Sequence, residues 1–130
     1  MKKLKVGIAG YEQYKNRTMA IARGELKPGA GEPKVWFTSI ESFARVLSDK
    51  NRELLSMIAE TQPGSMNELA QRTGRARSNL SRTLRTMERY GLVRFVKGAG
   101  RQLAPRVHYS DIVLDMPLKR PSASRRAVPA

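Results

Sequence analysis

The sequence contains no cysteine. Disulfides, iron–sulfur clusters and thiolate zinc sites are therefore excluded, and the absence fits a reducing compartment. The single histidine, His108, has no cysteine or second histidine with which to build a metal site. No run of apolar residues approaches the ~18 needed to cross a membrane. The basic N-terminal stretch MKKLKVGIAGYEQYK holds an apolar part, VGIAG, that is shorter than the roughly 7–15 residues of a signal-peptide core. The expectation is a cytoplasmic protein without a membrane segment.

Recognisable catalytic patterns are missing too. GAGR, 98–101, lacks the lysine and serine spacing of a phosphate-binding loop, and no G-x-G-x-x-G occurs. GAGR reads instead as a hairpin turn with a basic tip, and VGIAGYE, 6–12, as an ordinary strand-to-helix turn. Asp111 and Asp115 share one face of a strand-like segment, but no histidine or acid cluster accompanies them, so they read as solvent-facing acids. Trp36 and Phe37 could stack on bases, although packing within the domain is the plainer use. No set of acid, base, nucleophile or metal ligands emerges, so neither an enzyme nor a bound cofactor is expected.

Acidic residues are scarce. Only 11 Asp and Glu face 25 Lys and Arg, giving a formal net charge of +14 over 130 residues. A surplus of this size implies a polyanionic partner, nucleic acid before an anionic membrane surface. The surplus is uneven. Residues 34–63 carry four charges of each sign, whereas 64–117 carry ten positive and four negative, and 118–130 carry four positive and none negative. A local block of one sign marks a binding surface more often than a solvated face does.

Along the chain, KKLKVGIA (2–9) reads as a strand and 11–25 as a helix with Tyr14, Met19, Ala22 and Leu26 on a loose apolar side. LKPGAGEP, 26–33, reads as a linker and KVWFT, 34–38, as strand-like. Thr38 with Glu41 suggests a capping box opening a short helix over 41–47. Ser48 or Asp49 can cap a helix over about 50–61, with Leu54, Leu55, Ile58 and Ala59 on one face. Ser65 with Glu68 forms a second capping box for a helix that Gly74 ends, and a further helix over about 76–90 closes at Gly91. Residues 92–98 read as a strand, GAGRQLAP as a turn and RVHYSDIVLDM, 106–116, as the return strand. KRPSASRRAVPA, 119–130, reads as a disordered basic tail.

The helix before Gly91 decides the reading. At roughly 100° per residue, Ala76, Leu84 and Met87 fall within about 40° of Leu80, while Arg75, Ser78, Arg82, Arg85 and Arg89 fall about 140–220° away. Only Arg85 has an acid in helical reach, Glu88, so i,i+4 pairs cannot neutralise this face. A solvated basic face is the plain reading of any one such helix. The preceding short helix, the glycine turn and the following strand–turn–strand favour a helix-turn-helix with a wing. In such an arrangement the second helix enters the DNA major groove with its N-terminal half against base edges. That half holds Arg75, Arg77, Ser78, Asn79 and Arg82, and Arg85 and Arg89 would meet phosphates.

LAQRTGRARSNLSRTLRTMERYGLV followed by RFVKGAGRQLAPRV resembles the winged helix-turn-helix of MarR-type bacterial and archaeal regulators, most closely the small antitoxin-like DNA-binding regulators. The likeness covers 34–117 strongly and the N-terminal part more weakly. It implies that Ser78, Asn79 and Arg82 read bases and that the wing, with Lys97 and Arg101, touches the minor groove. Many MarR-type proteins dimerise through long flanking helices. Here that role falls to the N-terminal strand–helix arm with Leu4, Val6 and Ile8.

The expected fold is therefore α+β, mainly helical: a winged helix-turn-helix over 34–117, an N-terminal arm over 1–33 for dimer or partner contact, and a basic tail over 118–130. The expected function is a sequence-specific, homodimeric, double-stranded-DNA-binding transcriptional regulator, a repressor, with the role of autoregulating antitoxin open. Two alternatives stand beside it: a protein-interaction module that neutralises a toxin, and a non-specific nucleic-acid binder.

Overall fold

The computed structural model describes residues 2–24, 33–98, 100, 102–116 and 118, with backbone alone at 11–14 and 17. The expected disordered tail, most of the 26–33 linker and the side chain of Tyr14 lie outside the described residues. The architecture mixes helix and strand, as expected of an α+β chain. It divides into two units: one takes Arg45–Tyr109 with Lys2, the other the described residues of 3–44 and 110–118. Among the described residues no helix is long and apolar enough to cross a membrane.

The unit formed by 3–44 and 110–118 is built on a three-stranded sheet. Strand β1 (Lys2–Ile8) lies between β2 (Val35–Phe37) and β5 (Tyr109–Asp115). β1 and β2 pair in parallel, Val6 opposite Val35 and Ile8 opposite Phe37, and helix α1 (Tyr11–Ala22) lies between them in sequence. Parallel neighbours need such a crossover. Gly7 is buried because a Cβ there would meet the Trp36 ring, so the glycine is a packing requirement and not part of a turn. Phe37 is buried and meets Phe43 edge-on, with centroids 5.4 Å apart. Helix α2 (Ile40–Val46) follows.

Several expectations change in this unit. Leu4 and Val6 are buried inside the chain and β1 has a strand on either side, so this segment is the middle of a sheet and not a separate arm offering those residues to a second copy. α1 ends at Ala22, and Met19 is exposed. α2 is capped by Ser39 in place of Thr38. The Ser42 amide donates to Ser39 Oγ (3.0 Å) and the Ser39 amide to Ser42 Oγ (3.3 Å), a reciprocal pair in which serine fills the place expected for Glu41. Asp111 is exposed, but Asp115 is half-buried and pairs with Lys5 at 3.9 Å.

The other unit contains α3 (Asp49–Thr61), α4 (Met66–Thr73), α5 (Arg77–Arg89) and an antiparallel hairpin, β3 (Arg94–Lys97) with β4 (Leu103–Arg106). Its helix ends follow local chemistry. Ser48 Oγ accepts from the Asn51 amide and Ser65 Oγ from the Glu68 amide (3.1 Å). Glu68 completes the second box one residue early, its carboxylate accepting from the Gly64 amide at 2.7 Å. Gln62 takes the left-handed conformation after α3, before Pro63 stops the chain from continuing the helix. Gly74 does the same after α4 at φ 72°. At the end of α5 the Gly91 amide donates to the Glu88 carbonyl and the Leu92 amide to the Met87 carbonyl, with Gly91 at φ 77°. This is a Schellman closure, and Met87 and Leu92 supply the buried apolar contact that accompanies it.

The core of this unit gathers Leu54 and Ile58 from α3, Met66 and Leu69 from α4, Leu80, Leu84 and Met87 from α5, Val93 just before β3 and Ala104 from β4. Each large side chain withdrawn from water contributes about 1.5–3 kcal/mol before entropy is counted.

The hairpin corrects the strand assignment. β3 starts at Arg94, because Leu92 and Val93 are both buried in the approach to it. Its partner is Leu103–Arg106, all but Arg106 in the stretch expected to be a turn, and 109–115 joins the three-stranded sheet instead of serving as the return strand. Pro105 lacks an N–H, which in a wide sheet would break the ladder. A two-stranded hairpin consists of edges alone, and there proline is tolerated.

Candidate nucleic-acid interface

The turn between α4 and α5 is held by Thr73, whose hydroxyl donates to the Leu69 carbonyl (2.9 Å) and accepts from the Arg75 amide (3.2 Å). It delivers α5 with Leu80, Leu84 and Met87 wholly buried. The opposite side must then face outward, and Ser78, Asn79, Arg82, Arg85 and Arg89 are all exposed. Arg77 is exposed as the first helical residue. Among the described residues, Arg77, Arg82 and Arg89 have no carboxylate partner.

Two of the expected arginines are placed differently. Arg75 precedes the helix, because Ala76 is the N-cap. It is half-buried, and its guanidinium donates to the Lys50 carbonyl at 3.3 Å, which ties the turn to the first residues of α3. Arg85 is on the helix but engaged. It pairs with Glu88 at 3.2 Å and lies 4.7 Å from the centre of the Phe95 ring in β3. Both partners are at least partly exposed, so each contact contributes well under about 1 kcal/mol. Together they favour one placement of the guanidinium, against the Phe95 ring.

In the hairpin, Lys97 is exposed at the end of β3, opposite Leu103. Arg101 lies outside the described residues. The Gly98 amide donates to the Gln102 carbonyl at 2.7 Å, which closes the hairpin. Arg106 donates to the Pro63 carbonyl at 2.7 Å, fastening β4 to the α3–α4 turn. A groove of about 370 Å³ opens between the flank of α5, the first turn of α4 and the hairpin. Asn67, Ser81 and Gln102 line it with Arg77 and Arg85. Sequence reasoning passed over the first three. Ser81 was within reach of it, four residues from each arginine. Asn67 and Gln102 converge only once the chain is folded. Among the described residues no cluster of His, Cys, Asp or Glu could hold a metal ion.

A family model, HVO_A0114, matches residues 46–114, just over half of the chain. The chain belongs to the HVO_A0114 family. No curated protein and no solved structure matches it. The HVO_A0114 match takes in α3, α4, α5 and the β3–β4 hairpin, and so every expected site residue on α5 and the hairpin. The whole β1–α1–β2 segment precedes the region matched by HVO_A0114.

Proposed function

We propose that Arg45–Tyr109 form a winged helix-turn-helix, with α4 and α5 as the helix pair and the β3–β4 hairpin as the wing, and that the protein is a sequence-specific DNA-binding transcriptional regulator of MarR-like type acting as a homodimeric repressor. The observation that carries this reading is α5. One side is wholly buried in its own unit, and the other presents Ser78, Asn79, Arg82 and Arg89 to solvent. Arginine matches the N7 and O6 acceptors of guanine, and asparagine matches N6 and N7 of adenine. Arg89 lies a further two turns along, where the helix leaves the groove, and meets a phosphate. The homodimer follows from the small number of bases one such helix reads, since paired half-sites about one helical turn apart double the information.

The test is selection of bound duplexes from a random pool. A palindromic consensus is expected. Equal binding to all sequences would leave a non-specific binder, and no binding would end the DNA reading.

A further inference from the structure

We infer that the groove beside α5 seats one phosphate of the DNA backbone, held by Arg77 and Ser81 of α5, Asn67 of α4 and Gln102 of the hairpin. The inference rests on the DNA reading and adds to it a position on the backbone and two residues, Asn67 and Gln102, that a reading of α5 alone does not supply.

The first argument is one of dimensions. A helix with side chains is about 10–12 Å across, and the major groove is about 12 Å wide. A helix whose outward row faces base edges therefore has its flanks against the two bordering backbones. Arg77, Ser81 and Arg85 follow one another at intervals of four, which sets them in a line along one flank, between the buried stripe and the outward row. That flank is the wall of the groove.

The second argument is chemical. Among the described residues no carboxylate lines the groove, and every polar side chain that does can offer an N–H or O–H. A phosphodiester is an anion that only accepts hydrogen bonds, so such a lining suits it. Arg77 has no carboxylate partner among the described residues and can turn its donors inward. Arg85, resting beside Glu88 and Phe95, adds positive potential that Glu88 offsets in part. Met66, Phe95 and Leu103 supply the apolar remainder of the lining, which suits a sugar edge and lowers the local dielectric around the charge. The hairpin side of the groove is held in place, since β4 is fastened through Arg106 to the Pro63 carbonyl.

The experiment uses the full chain and the duplex recovered by selection, resynthesised with one neutral methylphosphonate at a time. The parent is compared with Asn67→Ala/Gln102→Ala. Both residues are exposed, and a melting curve verifies that the variant folds. In the parent, one position in each half-site is expected to lose about tenfold in affinity when its charge is removed, the scale of a hydrogen bond to a charged group. In the variant the same substitution should cost clearly less, because two of the four partners are gone while Arg77 and Ser81 remain. Arg77→Ala should reduce the salt slope by about one per half-site. A variant as sensitive as the parent at every position overturns the inference while leaving the DNA reading intact. So does millimolar inorganic phosphate shifting the Asn67 and Gln102 amide resonances without any such coupling, which would make the groove a small-anion site. A parent that binds no duplex overturns both readings.

Discussion

Helices α3 and α5 are each 13 residues long and each anchored by a buried apolar stripe, yet they treat their outer faces in opposite ways. α3 begins with a serine cap and an acid in its first turn, and its Asp49 pairs with Arg52. Acid near a helix N-terminus and mixed charges along the surface each stabilise a helix by a few tenths of a kcal/mol. α5 has no side-chain cap and no acid in its first turn, and it begins with Arg77 at the positive end of its dipole. Along it, Arg82, Arg85 and Arg89 follow at spacings of three and four, with Glu88 alone opposing them. The surface of α3 is arranged for stability. The first turn of α5 works against its own helix, which is carried by the buried stripe and the Gly91 closure. A face that costs stability and is kept basic is better explained by what it meets than by what it holds together.

The largest expected effect tests the anchor. Leu84→Ala should destabilise by about 2–5 kcal/mol, as Leu54→Ala should in α3, because each removes a buried leucine from a packed core. Urea unfolding measures both, and a loss below about 1 kcal/mol at Leu84 would mean that α5 is held by something other than its stripe. Next comes the outer face. Arg82→Ala should flatten preference at one base position per half-site by roughly 1–3 kcal/mol, whereas Arg89→Ala should weaken all duplexes alike. Both should melt within about 0.5 kcal/mol of the parent. An Arg82→Ala chain with the full base preference of the parent would remove α5 from the reading role.

The caps then sharpen the contrast. Ser48→Ala should cost about 1 kcal/mol, and Ala76→Ser should gain a comparable amount, since Ala76 already has the extended N-cap conformation and lacks only the acceptor. If Ala76→Ser fails to raise the melting temperature, the uncapped start of α5 is not the deficit described above. Smaller still, Arg77→Glu should raise stability by about 0.3–1 kcal/mol through the dipole while weakening DNA binding. A variant that gains on both counts would contradict a binding role for that flank. Arg52→Ala, on the mixed face of α3, should change stability by less than about 0.5 kcal/mol and leave DNA affinity unchanged.

Much of the helical unit could be read from the sequence because its instructions are local. Ser48, Ser65, Gly74 and Gly91 act within four residues of where they stand, and the Leu80–Leu84–Met87 stripe needs only the helical period. The strands were harder. Ile112 and Val113 have the composition of a strand beside any partner, and nothing near them says that the partner is β1, far away at the other end of the sequence. β4 was hidden by Pro105, a residue that argues against a strand until the sheet is known to have only two. Thr38 and Ser39 offer nearly the same cap, and the choice depends on Ser42, a residue outside the usual Glu or Gln pattern. Within the groove, Asn67 and Gln102 carry no pattern of their own, being ordinary exposed amides until α4 and the hairpin come together.

The turn end of the hairpin is set by missing atoms. A Cβ on Gly98 would overlap the Gly64 carbonyl oxygen, so the end of β3 rests directly on the backbone of the α3–α4 turn. A single methyl group at position 98 would work as a shim. It would lift the hairpin from its seat, against the pull of Arg106 on Pro63, and widen the gap between Gln102 and α5 without altering any charge. The spacing between α5 and the hairpin is thus adjustable at a residue that need not touch the ligand at all.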